Sequence, residues 1–232
     1  MKQFRTLFPL SIAFSLIYLA SGPGPSDRMA GFKVGSILLL ALAGFRVDKL
    51  LGTALALCSV GDLLLGVRRF GSLDAGKLFL PGLGAFLAAH VIYIAMFRRY
   101  KGVDGWKPGP LRIVGIAVIP IVLGLVLGVL RHSLGSLLIP VAAYALVLAV
   151  MAISAMLADL GNPLAAIGVL FFVTSDALLA ICNFHGQFQA GSPLIWITYY
   201  IAQALIVLGI ERWRGRIFCP PSNTTSGIEQ AE

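Results

Sequence analysis

Eight mostly apolar stretches, each near the length needed to cross a bilayer, follow one another through this chain with only short breaks between them. They run Thr6–Ala20, Met29–Gly44, Lys49–Val67, Lys77–Phe97, Leu111–Leu130, Gly135–Ala158, Pro163–Cys182 and Pro193–Ile210. Inside hydrocarbon a backbone must satisfy its own hydrogen bonds, which leaves helices or a closed barrel. Runs of this length predict an all-α membrane protein, a bundle of about eight transmembrane helices forming one domain over residues 1–214. The breaks, such as Ser21-Gly22-Pro23-Gly24-Pro25 and Lys107-Pro108-Gly109-Pro110, leave no room for a soluble domain. Residues 215–232, with Pro220-Pro221-Ser222-Asn223-Thr224-Thr225, read as a disordered cytoplasmic tail. The first run has no convincing small-residue cleavage site and reads as a span, not a cleavable signal.

Composition agrees. The chain is 58% hydrophobic and 12% charged, where soluble domains hold roughly 45–50% apolar and about 25% charged residues. A net charge of +8 in short loops reports orientation rather than nucleic-acid binding. Lys2, Arg5, Arg46, Lys49, Arg98, Arg99, Lys101, Lys107, Arg112, Arg212, Arg214 and Arg216 fall on the face with both termini; only Arg28, Arg68, Arg69, Lys77 and Arg131 fall on the other. Both termini are therefore expected in the cytoplasm, where the Asn223-Thr224-Thr225 sequon stays unglycosylated. Cys58, Cys182 and Cys219 lie far apart, without disulfide or metal spacing.

Against this background two acids stand out, in matching contexts: Ser59-Val60-Gly61-Asp62-Leu63-Leu64-Leu65 and Val173-Thr174-Ser175-Asp176-Ala177-Leu178-Leu179. An ionisable group at bilayer depth costs roughly 2.5–3.5 kcal/mol even on the lenient insertion scale, so its default reading is functional. The plain reading is that each acid only packs or pairs neighbouring helices. Asp62 lies 13 residues after Lys49, and Asp176 lies 13 after Pro163. At about 1.5 Å per residue both reach roughly 20 Å from the cytoplasmic side, so the carboxyls can share one level.

His90, Tyr144, Tyr199, Tyr200 and Gln203 approach that level from oppositely directed spans, and Lys33 is expected nearer the outer face. The acidic spans and the polar spans that follow them form a weak internal repeat. It fits either a parallel four-plus-four duplication or chance similarity among Leu/Ala-rich helices.

Two carboxyls in a low-dielectric bundle acquire different proton affinities, which gives one acid and one anionic base. That pair suits hydrolysis through an oxocarbenium-like state. His90 could tune or shuttle protons, or simply pack. The tyrosines could donate hydrogen bonds to a substrate, or anchor spans. Lys33 could meet a phosphate, or snorkel. No G-x-S-x-G elbow, P-loop, H-E-x-x-H or Rossmann glycine pattern occurs, and His90 has no partner at metal-ligand spacing.

Several stretches, taken together, resemble the YhhN-like integral membrane family, which includes the lysoplasmalogenases. They are Ser59–Leu65, Phe79–Phe97, Pro140–Met151, Phe171–Ala180 and Thr198–Leu205, with the Tyr199-Tyr200-x-x-Gln203 string. The resemblance implies hydrolysis of the vinyl ether bond of lysoplasmalogens to a fatty aldehyde and a glycerophospho-alcohol, without metal or organic cofactor. Asp62 and Asp176 would be catalytic. Lys33, His90, Tyr93, Tyr144, Ser175, Tyr199, Tyr200 and Gln203 would bind substrate. The implied partners are a lysophospholipid and bilayer lipid. The implied location is the inner membrane of a bacterium or the endoplasmic reticulum of a eukaryote. Two other classes stay open on the residues alone: a small proton-coupled transporter, and a non-catalytic lipid-binding membrane protein.

Overall fold

A computed structural model of the chain describes residues 2–21, 27–66, 69–70, 73–100, 108–186 and 191–218. Among these are eight α-helices: α1 (Lys2–Ala20), α2 (Asp27–Val47), α3 (Lys49–Gly66), α4 (Ala75–Arg99), α5 (Pro110–Leu134), α6 (Leu138–Met156), α7 (Leu164–Phe184) and α8 (Gly191–Phe218). The all-α membrane bundle is thus borne out. Six helical segments are long and apolar enough to cross a membrane, and one of them, Pro110–Met156, holds both α5 and α6. The only strands described are β1 (Arg69–Phe70) and β2 (Leu73–Asp74), a two-residue antiparallel ribbon with Arg69 opposite Asp74.

Sequential neighbours pack against each other, most extensively α1 with α2, α2 with α3, α3 with α4 and α7 with α8. Contacts of α4 with α6, α5 with α7, and α2 with α8 close the bundle. Its outside is apolar, with Leu16, Ile121, Leu125, Val129, Ile139 and Leu146 all exposed. Its buried polar side chains, Asp62, His90, Ser175 and Gln203 among them, point inward. Water does not drive helices together in lipid, so close backbone approach carries more of the association. It is closest between α7 and α8. A Cβ on Gly168 would lie 2.9 Å from the Ala202 carbonyl oxygen, and one on Gly209 would lie 2.8 Å from the Ala165 nitrogen. Only glycine fits at either position.

The end of the bundle where α1 begins and α8 ends is tied by polar clamps. Asp48 alone separates α2 from α3, and its Oδ1 caps α3 by accepting from the backbone N–H groups of Leu50 (2.8 Å) and Leu51 (3.3 Å). Its Oδ2 accepts from the Tyr100 hydroxyl at 3.1 Å. Arg112 of α5 donates to the carbonyls of Met156, Ala158 and Asn162 at the α6–α7 connection.

Most boundaries differ from expectation by a few residues, and the last one differs most. The eighth helix runs to Phe218 instead of ending near Ile210, so Gly215–Phe218 belong to it rather than to a disordered tail. No residue before Pro220-Pro221 breaks the helix, and Trp213 docks edge-on against Tyr100 with ring centroids 4.6 Å apart. Cys219, the sequon and the rest of the tail lie outside the described residues, whereas Cys58 and Cys182 are free thiols.

Candidate active site

Odd-numbered helices end, and even-numbered helices begin, at the opposite end of the bundle. There a cavity of about 230 Å³ opens among all eight helices. Side chains from the ends of odd helices (Tyr18, Asp62, Leu130, Asn183) meet those from the starts of even helices (Lys33, Phe79, Val141, Ser192) around it. The two acids share this cavity, as their matched depths predicted.

Their surroundings differ. Asp62 is almost fully buried at 2% exposure, and its Oδ1 lies 2.8 Å from the Lys33 ammonium. Its Oδ2 accepts from the Tyr199 hydroxyl at 2.9 Å. Lys33 also sits over the Trp196 ring, 5.7 Å from its centroid. That ring is held by a hydrogen bond from its Nε1 to Ser15 Oγ (3.0 Å) and by the edge of Tyr18 (4.9 Å between centroids). Asp176 is only half-buried, and its Oδ2 accepts from the Tyr144 hydroxyl at 2.6 Å. One carboxyl therefore has a cation and a donor, and the other is held by a single phenol. A buried carboxylate is tolerated as an anion where a cation and hydrogen bonds compensate it. Asp62 has that compensation.

Residues 29–210 match the profile of the YhhN family, a stretch that contains every site residue named so far except Tyr18 and Ser15. The chain belongs to the YhhN family. Among the relatives of this YhhN chain is the human protein named lysoplasmalogenase TMEM86B, 34% identical over 198 residues that cover 81% of this chain and 79% of that one. The Mycobacterium bovis protein named lysoplasmalogenase is 32% identical over 192 residues, 80% of this chain and 71% of that one. The Sus scrofa lysoplasmalogenase TMEM86B is 30% identical over 208 residues, covering 90% and 87%. No solved structure matches the chain.

Five of the ten expected site residues stand elsewhere, or pair otherwise, than expected. Lys33, expected to meet a phosphate, has a different partner. It pairs with Asp62, four residues before the end of α3 as Lys33 is six after the start of α2, so the two meet at one level. His90, Tyr93 and Gln203 do not line the cavity; they form a second polar layer below it. His90 falls one helical turn past the lining residue Phe86, and Gln203 one turn past Tyr199, so each lies deeper on the same helix face. There the Tyr93 hydroxyl donates to Gln203 Oε1 at 2.6 Å.

The His90 ring packs edge-on against Tyr144 and Phe172, at 5.2 and 5.0 Å between centroids. Neither ring nitrogen makes a hydrogen bond of good geometry; the backbone of Phe86 is the group in electrostatic reach. Tyr200 is rotated about 100° from Tyr199 by the helix. It bonds to Ser11 of α1 across 2.7 Å rather than facing the cavity. Ser175 lines the cavity, but its hydroxyl donates to the Ile195 carbonyl at 3.0 Å.

Sequence reasoning missed Tyr18, Trp196, Asn183 and Ser192, all of which line the cavity. Trp196 was findable, since it lies three residues before Tyr199 on the same face of α8. Asn183 was findable too, two turns beyond Asp176 on α7. Tyr18 carried no signal, being one of three aromatic residues in a mostly apolar first run.

Proposed function

We propose that this chain is a lysoplasmalogenase. It hydrolyses the vinyl ether of a lysoplasmalogen to a fatty aldehyde and glycerophosphoethanolamine or glycerophosphocholine, with Asp62 and Asp176 as the acid–base pair. The observation that carries this reading is the unequal setting of two carboxyls on one cavity. The names of its relatives support it independently.

Asp62, paired with Lys33 and Tyr199, is the anionic member. Asp176, with no cation contact among its described partners, carries the proton. Asp176 gives that proton to the β-carbon of the enol ether, which leaves an oxocarbenium ion at the α-carbon. The Asp62 carboxylate faces the positive charge as it develops, the kind of preorganised stabilisation that contributes most in a dry site. Water adds to the α-carbon and passes a proton to Asp62. The hemiacetal then collapses. Its hydroxyl proton returns to Asp176, the C–O bond breaks, and the departing glycerol oxygen takes the proton held on Asp62. Aldehyde and alcohol leave with both acids restored.

Tyr199 and Tyr144 keep each carboxyl aimed, and Lys33 holds Asp62 ionised instead of binding the headgroup phosphate. We orient the molecule with both termini cytoplasmic, on the charge asymmetry of its loops; reporter fusions at the C-terminus test this separately.

The deciding measurement is aldehyde release from a purified lysoplasmalogen by the purified protein in detergent. Turnover without added metal or nucleotide is expected. Uptake of intact lysolipid into sealed vesicles, with no aldehyde formed, would overturn the reading in favour of a carrier.

A further inference from the structure

The site accommodates a reacting group but not a whole lipid. Pockets that enclose a drug-sized ligand run to roughly 300–1,000 Å³, and this cavity has about 230 Å³. A single-chain amphiphile bound at the acids therefore keeps part of itself outside.

The way down is closed. Below the acids lie His90, Leu148, Met151, Phe172 and Gln203, all buried to within 1%. The way out toward water is edged by Asn183 and Ser192, polar residues suited to a headgroup. What remains for a hydrocarbon chain is a side wall; α4 (Phe79, Leu83, Phe86) and α5 (Leu123, Val126, Leu127, Leu130) line the cavity with apolar side chains alone, and α5 gives more of them. Leu123 lies as many residues into α5 as Asp62 does into α3, so it stands at the level of the acids. Val126, Leu127 and Leu130 continue that lining outward by about 10 Å, at 1.5 Å per residue.

The far side of α5 is bilayer-facing, with Leu125 65% exposed and Ile121 and Val129 alike. Between them, Gly124 and Gly128 have open space where a side chain would be. Val126 and Leu127 are half-buried: they line the cavity and still reach the surface.

We infer that the hydrocarbon chain of the substrate leaves the cavity sideways over Val126 and Leu127 of α5, its far end in the bilayer, and that these two side chains set which chain lengths are cleaved. The chemistry at its other end rests on the vinyl ether reading; the route applies to any single-chain amphiphile held at the acids.

Two measurements test it. In the first, Leu127→Trp and Val126→Trp are assayed on a long-chain lysoplasmalogen and a short-chain, water-soluble analogue, with Leu125→Trp on the lipid face as control. The ratio of kcat/KM for long over short chain is expected to fall about tenfold, the loss of roughly two buried methylenes, in the first two variants and not in the control. An unchanged ratio overturns the route. The second uses wild-type protein and a lysophospholipid with a photoreactive diazirine midway along its chain. Crosslinks are expected on the peptide holding residues 123–130, and labelling confined to other helices overturns the route. This arm needs no turnover, so it still decides the route if the protein cleaves no vinyl ether.

Discussion

Lys33 and Asp62, on adjacent antiparallel helices, meet at 2.8 Å with Asp62 almost wholly buried and Lys33 about one-fifth exposed. The pair links the one basic residue of α2's apolar stretch to one of the two intramembrane acids. A charge pair in such a place is a weak contributor to stability, yet breaking it is strongly destabilising.

Lys33→Met should therefore strand a buried carboxylate. We expect stability to fall by about 3 kcal/mol, and kcat to fall more than KM rises. The double variant Lys33→Met/Asp62→Asn should regain most of the lost stability while staying inactive. Thermal midpoints in detergent and Michaelis parameters together decide this. A variant with raised KM and intact kcat would return Lys33 to headgroup binding.

Asp62→Asn and Asp176→Asn should each remove nearly all turnover from a folded protein, since amides keep the shape but cannot exchange the proton. Loss of general acid–base catalysis alone is about 10²–10⁴-fold. The double variant should be little worse than either single one, as expected of groups that act as a unit. Aldehyde release measures this, with monodispersity as the folding control. Either single variant keeping more than about a tenth of wild-type turnover removes that aspartate from the chemistry.

Gly209→Ala puts a methyl group where the Ala165 backbone already is. Overpacking of this kind costs about 1–3 kcal/mol. Because α7 carries Asp176 and α8 carries Tyr199, it should also reduce turnover from two turns or more away. Gly84→Ala meets nothing within 4 Å and should be neutral or stabilising by up to about 1 kcal/mol. Equal thermal midpoints for the two variants would contradict the close α7–α8 approach.

Tyr100, at the terminal end of the bundle and outside the spans, loses solvent and donates to Asp48. Burial first, then the neighbouring carboxylate, pushes its phenol above its ordinary value near 10. Because the unfolded chain ionises first, the phenol's contribution is complete below pH about 10 and is lost as pH climbs toward the raised folded value. The stability margin of wild type over Tyr100→Phe should therefore narrow above pH 10. A margin that widens in alkali would contradict this sign.

How much of this was legible beforehand depended on whether hydrophobicity or geometry held the information. The helices were readable because lipid leaves an apolar run of twenty residues almost no alternative. Asp62, Asp176, Tyr144 and Tyr199 were readable because acids and their donors are conspicuous in such runs and their depth follows from counting. Rotation was not readable: Tyr199 and Tyr200 look equivalent in sequence, and only the helix phase sends one to Asp62 and the other to Ser11. Depth counting also failed by one turn for His90 and Gln203, about the uncertainty of a helix start. Lys33 was read toward a phosphate because no count along the chain reveals that its long side chain reaches Asp62.

The closed layer of His90, Phe172, Met151 and Gln203 makes the protein a cup rather than a tunnel. A carrier of this shape has to break that floor in every cycle, whereas a hydrolase never needs to. Water and the water-soluble product use the mouth at the cavity's end of the bundle, and the lipid's chain lies in the same half of the bilayer, so the reaction is sided even though no gradient drives it. Lipid in the leaflet that the mouth faces is drained first. Lipid in the other leaflet reaches the acids only as fast as it crosses the bilayer unaided.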